Sequence, residues 1–260
     1  MQLIKNLEGL SGCKVSLYSK NNLFFIRKIS KSLEYNSRLI SQINLQNNFK
    51  SLNIKAPKIY NTGFTDNIFY CDMEYINGIT FGEFIEYKSF IETQSIFNKI
   101  IDNILDLNNH KVQNPEPFLI KLNEVSKYTE NVNLLNYLSK NIPTYLNEPG
   151  FHGDITFENI IISNKNEIFL IDFLDSFVND IYLDFSKLLQ EFKLLWSFRN
   201  RTIDYNIAIK YNKLSEIFNK KIDLLIDTNK LNFCFYLNLL RIIPYSKEKD
   251  KILINKILNE

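Results

Sequence analysis

Histidine, cysteine and tryptophan are scarce in this chain: two, three and one among 260 residues. The cysteines, Cys13, Cys71 and Cys234, form an odd set spread far apart in unlike surroundings. No pair has the short spacing of a zinc site, and a disulfide framework needs an even, patterned set, so the thiols read as free in a reducing compartment. An excess of one charge is also lacking. With 31 Lys and Arg against 29 Asp and Glu the net charge is +2, and the basic residues are dispersed among the acids rather than gathered in a stripe. That distribution argues against nucleic acid as a partner. No apolar run approaches the ~20 residues of a membrane span. The N-terminal MQLIKNLEGL breaks its apolar residues with an acid and a glycine and does not read as a secretory signal. These absences point to the cytoplasm. The remaining composition, 45% hydrophobic and 23% charged, is that of a globular protein rather than a disordered one. The length suits one large domain or two modest lobes.

The most informative stretch is Phe151 to Ser176, FHGDITFENIIISNKNEIFLIDFLDS. His152, Gly153 and Asp154 open it, and a short helical turn delivers Asn159. Ile160 to Ile162 is too apolar and too β-branched for a solvated loop. Asn164-Lys165-Asn166-Glu167 has the composition of a hairpin loop, and Ile168 to Ile171 is a second apolar run that ends on Asp172. Two paired strands joined at 164–167 would set Asn159, at the outer start, beside Asp172, at the outer end. Asp154, Asn159 and Asp172 are therefore expected at one mouth of a hairpin. A Mg²⁺ ion takes oxygen ligands and is usually held by one or two protein groups plus phosphate oxygens, and Asn159 and Asp172 suit that task. Asp154 has the position of a second carboxylate, one that takes the proton of an attacking hydroxyl while staying off the metal. The chemistry expected is phosphoryl transfer from a nucleotide.

The spacing Asp-x-x-x-x-Asn and the later Ile-Asp-Phe match the protein-kinase catalytic loop and metal-binding segment. His152-Gly153-Asp154 in place of His-Arg-Asp, and Leu174 in place of Gly, make the stretch resemble the aminoglycoside phosphotransferase and choline kinase family, the small-molecule branch of the protein-kinase-like fold. The resemblance implies an α+β, bilobal fold with a small β-rich N-lobe over 1–77 and a larger, mostly helical C-lobe over 78–260. It implies ATP and Mg²⁺ as cofactors and a small hydroxyl compound as acceptor. Asp184, in the segment Asp180 to Leu188, corresponds to a family acid that braces the catalytic loop; an ordinary acid in a helix's first turn stays open as the other reading. His152 is expected to brace the loop by hydrogen bonding rather than to react.

Upstream, Leu7 to Val15 carries Gly9, Ser11 and Gly12. Two glycines three residues apart allow a sharp strand-turn-strand bend and a close approach of backbone N–H groups to phosphates, although plain hairpins show the same pattern. A turn at Lys20 to Asn22 and a strand from Leu23 to Ile29 follow. The resemblance puts a Lys late in this strand, on the α- and β-phosphates, with the residue two positions earlier touching the base. Lys28 with Ile26 fits; Arg27 is the rival, because a shift of one residue flips the faces. A helix is expected from Ser30 to about Phe49, with Ser32 as a cap. The family partner of the Lys is a Glu on this helix, and here Gln42 stands in that place, able to accept only a weaker hydrogen bond. Met73-Glu74-Tyr75-Ile76-Asn77-Gly78 resembles the segment between the lobes, whose backbone near Glu74 and Ile76 would bind the purine.

Beyond Gly78 the pattern turns helical. Phe90 to Leu107 shows an apolar stripe of period 3.6, His110 reads as a loop residue, and 119–146 contains one or two helices broken near Pro143. Helical pieces at 188–196, 203–218, 222–226 and 231–243 would cover the acceptor side. Asp175 either contacts the acceptor or is solvated, and Trp196 either stacks on a sugar or cation or packs in the core. The acceptor can be a sugar, a sugar acid, an amino alcohol or an aminoglycoside. Asp175, Asp180 and Glu191 are too few acids to select a polycation, and the Ile-Asp-Phe-Leu-Asp-Ser stretch is also similar to bacterial phosphotransferases of surface-polysaccharide synthesis. A nucleotide-binding pseudokinase acting as a scaffold or regulator is the competing class. The absent helix Glu favours it, and Asp154, Asn159 and Asp172 oppose it.

Overall fold

A computed structural model describes residues 1–7, 12–107, 110–223 and 226–259. By their contacts these residues form two compact units, Met1–Thr80 with Asn159–Asp175, and Phe81–Glu158 with Ser176–Glu260.

The first unit begins with strands β1 (Gln2–Leu7), β2 (Lys14–Lys20) and β3 (Leu23–Ile29). Asn21 and Asn22 turn β2 into β3 at φ 52° and 63°, the left-handed pair that a tight hairpin needs and that Asn tolerates. Helix α1 (Asn36–Asn48) follows, then β4 (Ile54–Lys55), β5 (Ile59–Thr65), β6 (Ile68–Glu74) and β7 (Gly78–Thr80). The first sheet runs β1-β2-β3-β6-β5, and α1 covers it through a core of Cys13, Leu39, Ile43, Phe69, Cys71 and Met73. The helix starts later than Ser30. Ser30 is held instead by its N–H to the Phe69 carbonyl (2.9 Å), and Ser32 Oγ accepts from the Tyr35 N–H (3.3 Å), capping a separate turn.

The second unit takes over with α2 (Phe81–Tyr87) and α3 (Phe90–Leu105). Ser89 and Glu92 form a reciprocal capping box that starts α3, an arrangement worth about 1 kcal/mol. The stripe Ile96, Phe97, Ile100, Ile101 and Ile104 is buried. His110 lies not in a loop but at the start of β8 (His110–Gln113), which pairs antiparallel with β9 (Tyr145–Glu148). Between them stand α4 (Glu116–Val125) and α5 (Val132–Lys140).

The chain then returns to the first unit with β10 (Ile160–Ser163) and β11 (Ile168–Leu170). They pair as the expected hairpin, Ile160 opposite Leu170 and Ile162 opposite Ile168. Ser163 Oγ accepts the Lys165 and Glu167 N–H groups (3.3 and 3.1 Å), and Asn166 takes φ 59° to close the loop. β10 also pairs with β7, and β11 runs parallel to β4, which is why these strands cluster with the first unit.

Helices α6 (Ile181–Leu194), α7 (Tyr205–Ile222), α8 (Thr228–Ile242) and α9 (Glu248–Leu258) complete the second unit. α6 is buried on almost every side, including Asp184, Lys187, Gln190 and Glu191. A helix hydrophobic or satisfied all round is a core helix. Beside it Phe81, Phe97, Phe157, Phe192 and Tyr211 interlock with ring centroids 4.9–6.3 Å apart. Full burial of a ring such as Phe157 contributes roughly 2–3 kcal/mol and pins the end of the loop that precedes Asn159.

Candidate functional site

In the first unit the period-two alternation of β3 separates two adjacent cations. Arg27 pairs bidentately with Asp72 (2.6 Å for both bonds) and lies 4.4 Å over the Tyr70 ring. Lys28 points to the other face, where its buried ammonium meets Asp172 Oδ1 at 2.7 Å. Burial alone would lower the Lys28 pKa, but attraction and a hydrogen bond from Asp172 outweigh it and the pKa is raised. The side chain is thus a fixed charge at neutral pH.

Asp172 reaches this position from a left-handed backbone, φ 59°, a conformation that few residues other than Gly, Asn and Asp accept. Its side chain is half exposed. The Ile171 N–H donates to the Asn159 carbonyl at 3.0 Å, which extends the β10–β11 ladder by a step and sets Asn159 and Asp172 at the same end of the hairpin. Among the described residues no three His, Cys, Asp or Glu gather to hold a metal. A Mg²⁺ ion that arrives on phosphates needs less: one carboxylate and one amide oxygen on rigid elements suffice. Asp172 carries such a carboxylate and Asn159 such an amide at the same end of the hairpin, and the Asp172 carboxylate meets the Lys28 ammonium.

Gly9 and Ser11 lie outside the described residues. Gly12 has φ 76°, and a Cβ there would come 3.2 Å from Lys31 Cδ, so the turn favours glycine and carries a cation across it. Gln42 is buried on α1. Glu74 is tied to the start of β5, its N–H to the Lys58 carbonyl (2.8 Å) and its carboxylate to the Lys58 N–H (3.1 Å). Residues 75–77, with Ile76 half-buried, then run without strand pairing to β7.

In the second unit a loop is organised by α6. Asp184 has no exposed surface and accepts three successive backbone N–H groups, Phe151 (2.7 Å), His152 (3.0 Å) and Gly153 (2.7 Å). Three consecutive donors can converge on one carboxylate because Gly153 takes φ 85°, where a side chain is strained; that is a physical reason for Gly in this motif. Burial pushes the Asp184 carboxyl up and the three N–H bonds only partly counter it, leaving a pKa of about 6. Asp184 thus holds residues 151–153 through three hydrogen bonds. His152 is buried, and its Nδ1 accepts from the Asp154 N–H at 3.2 Å.

Asp154 projects partly exposed, with Lys187 Nζ at 3.0 Å. Burial would raise its pKa, but Lys187, and behind it His152 and Arg241, outweigh burial and the pKa is lowered. Asp154 stays an anion at neutral pH. A carboxylate so stabilised is a weak proton acceptor, better suited to orienting a hydroxyl than to deprotonating it before attack. Lys187 carries no sequence signal of its own. One turn beyond Asp184 on a helix whose first turn already faces the loop, it was findable only once that face was known.

Asp180 and Glu191 cannot serve as surface charge for an acceptor, because both are buried. Asp180 caps α6 at the Tyr182 N–H (2.8 Å) and pairs with buried Lys230 (2.6 Å), which also donates to the Tyr145 carbonyl (2.8 Å) and Asn147 (2.9 Å). Asp175 is exposed. Trp196 is half-buried under Arg199, whose guanidinium lies 4.3 Å from the indole and bonds Glu158 at 3.1 Å.

No family model and no curated protein sequence matches the chain. Solved structures do. A thermostable mutant of the aminoglycoside phosphotransferase APH(4)-Ia, in ternary complex with ADP and hygromycin B, is 11% identical over 99% of this chain and 93% of that one, with a TM-score of 0.69. Choline kinase LicA from Streptococcus pneumoniae is 15% identical over 99% and 92%, with a TM-score of 0.60. An aminoglycoside-3'-phosphotransferase of type VIII is 14% identical over 91% and 92%, with a TM-score of 0.57. At such identities the likeness is one of fold. The chain has the α+β, protein-kinase-like fold of these small-molecule kinases, with its β-rich N-lobe and helical C-lobe.

Proposed function

We propose that this protein is an ATP- and Mg²⁺-dependent phosphotransferase that moves the γ-phosphate to a hydroxyl of a small molecule. The observation that carries the reading is the Lys28–Asp172 pair. A buried cation on a strand and a left-handed carboxylate at the end of a hairpin are held together as a charged pair suited to phosphates on one side and their metal on the other. Lys28 would bind the α- and β-phosphates; Arg27, engaged by Asp72, would not. Asn159 and Asp172 would hold the Mg²⁺, which when bound would neutralise charge on the phosphates. The turn at Gly12 would cover them. The backbone near Glu74 and Ile76 would take the purine.

Asp154 would accept a hydrogen bond from the acceptor hydroxyl and take its proton as the oxygen–phosphorus bond forms. Lys187 keeps this carboxylate ionised and fixed, and Asp184 keeps its loop in place. The fold neighbours support the substrate classes, since one carries ADP with hygromycin B and another is a choline kinase. The acceptor is a sugar, sugar acid or amino alcohol, with a role in surface-polysaccharide synthesis among the options. A polycationic aminoglycoside is less suited, because Asp180 and Glu191 are buried away from any ligand.

The test is mutational. Asp154→Asn should lose nearly all turnover with ATP binding little changed, and Asp172→Ala should lose Mg²⁺-dependent nucleotide binding. A second reading, a nucleotide-binding pseudokinase, is favoured by what the resemblance implies for α1, where the buried Gln42 stands in place of the Glu expected to partner Lys28. Measurable ATP binding without consumption across sugars, amino alcohols and aminoglycosides would select it.

A further inference from the structure

The polar residues of α6 that face the loop follow one helical stripe, Asp184, Lys187 and Glu191, spaced so that they share a face. Asp184 holds 151–153 and Lys187 holds Asp154. Glu191 reaches the loop's far end. Its Oε1 accepts the Phe157 N–H at 2.8 Å and the Ser197 hydroxyl at 2.7 Å, and its Oε2 accepts the Ser197 N–H at 3.0 Å, with the Tyr211 hydroxyl at 3.5 Å. The side chain has no exposed surface, and among the described residues no ion pair includes it. A buried carboxylate without a cation is expensive. An apolar residue would fill the same space at lower cost, so packing alone does not account for it.

We infer that Glu191 is a positioning residue for the phosphotransfer proposed above: its ionised carboxylate ties the end of the catalytic loop at Phe157 to the turn bearing Trp196, Ser197 and Arg199, and so fixes the far end of the loop that carries Asp154. The inference rests on that reading for its catalytic consequence, whereas the tie itself does not. The two oxygens of the anion serve one donor on the loop, two on the turn and the Tyr211 hydroxyl on α7. Protonation removes the charge and turns one oxygen into a donor, which weakens the bonds that the loop and the turn make to this carboxyl. Asp184 anchors the near end at 151–153, so loss of the far anchor frees the residues between Asp154 and Glu158.

Burial pushes the Glu191 carboxyl up, the Ser197 and Phe157 bonds pull it down, Glu158 raises it again, and the result is a pKa of about 7. The groups facing this region are few. Glu158, on the loop, is paired with Arg199; Tyr211, on α7, is neutral with its own pKa raised by burial and by Glu191; Lys187, on α6, is turned to Asp154; and Arg201 acts on Tyr211. Tie and ionisation are thus coupled near neutrality.

The experiment is a pH titration of the full chain followed by ¹H–¹⁵N NMR, together with kinetics. The amides of Phe157 and Ser197 should titrate together with a midpoint near 7. Glu191→Gln should abolish that titration, and Ser197→Ala, by removing one bond to the anion, should move the Phe157 midpoint up by about one unit. In turnover, Glu191→Gln should lower kcat about tenfold with KM for ATP unchanged, and the limb of kcat that rises with pH through 7 should vanish. Amides that do not titrate between about pH 5.5 and 8.5, or a limb that persists in the Gln variant, would overturn the inference. If the wild type transfers phosphate to nothing while both amides titrate together, the tie stands and the phosphotransferase reading fails. Should Glu191→Gln not fold, the wild-type and Ser197→Ala titrations decide the matter.

Discussion

Replacing Asp184 by Asn separates the stability of the fold from the geometry of the catalytic loop. The carboxylate receives His152 and Gly153 on Oδ1 and Phe151 on Oδ2. An amide has one oxygen. Placed on the Oδ1 side, it keeps two donors and turns its own N–H₂ toward the Phe151 N–H, so one bond to a charged acceptor, about 1.5–3 kcal/mol, becomes a donor–donor conflict. Against this stands a relief. The carboxyl pKa is about 6 rather than 3.8, roughly two units, so the ionised group lowers stability at neutral pH by about 3 kcal/mol relative to its neutral form. The two effects nearly cancel, and urea unfolding at pH 7.5 should show Asp184→Asn within about 2 kcal/mol of wild type.

Turnover should not follow. A displaced Phe151 moves the start of the loop, and a shift of even 1 Å at the reacting groups can cost about a hundredfold. The expected result is a folded variant with kcat reduced about 10² and nucleotide binding retained. The sign of the pH effect follows from the raised pKa. The contribution of Asp184 to stability is fully present below pH 3.8, where both states are protonated, and is lost as pH rises through 6; the Asn variant should lack that decline. Wild-type turnover in Asp184→Asn, or a loss of more than about 4 kcal/mol at pH 7.5, would refute the reasoning.

The adjacent cations of β3 give a paired prediction. Arg27→Met strands Asp72 and should destabilise by about 3 kcal/mol while KM for ATP stays within about twofold; Lys28→Met should raise KM for ATP at least about tenfold, and the opposite pattern in a steady-state assay would exchange their roles. Lys230→Met leaves Asp180 buried without its cation and should destabilise by about 3–5 kcal/mol, read as a urea midpoint; adding Asp180→Asn should restore part of the loss, and a single variant of unchanged midpoint would show that the pair is not needed for stability.

Sequence patterning was most legible where a side chain's task is local. The 160–171 hairpin announces itself through two β-branched runs around a turn, and α3 through its apolar stripe. The choice between Lys28 and Arg27 depended on one residue of register; in the sheet Arg27 faces Asp72 and Lys28 faces Asp172. The strands β8 and β9 were illegible because each is short, lacks alternation and finds its partner across two helices. β4 is shorter still. α9 escaped because its apolar positions are interleaved with lysines and asparagines. The largest gap concerns α6. Asp184 was identifiable by its likeness to a family motif, but Lys187 and Glu191 read from sequence as an ordinary helical lysine and glutamate. Their partners, the Asp154 carboxylate and the Phe157 N–H, stand more than thirty residues earlier in the chain, and no local pattern encodes such a contact.

Phosphate transfer itself is the most direct test. The protein, incubated with ATP, Mg²⁺ and panels of sugars, sugar acids and amino alcohols, should form a phosphate monoester of at least one of them, visible by ³¹P NMR, and Asp154→Asn should bind ATP as tightly yet form none. ATP bound without any ester in the wild type, or equal ester formation by the Asn variant, would contradict the account.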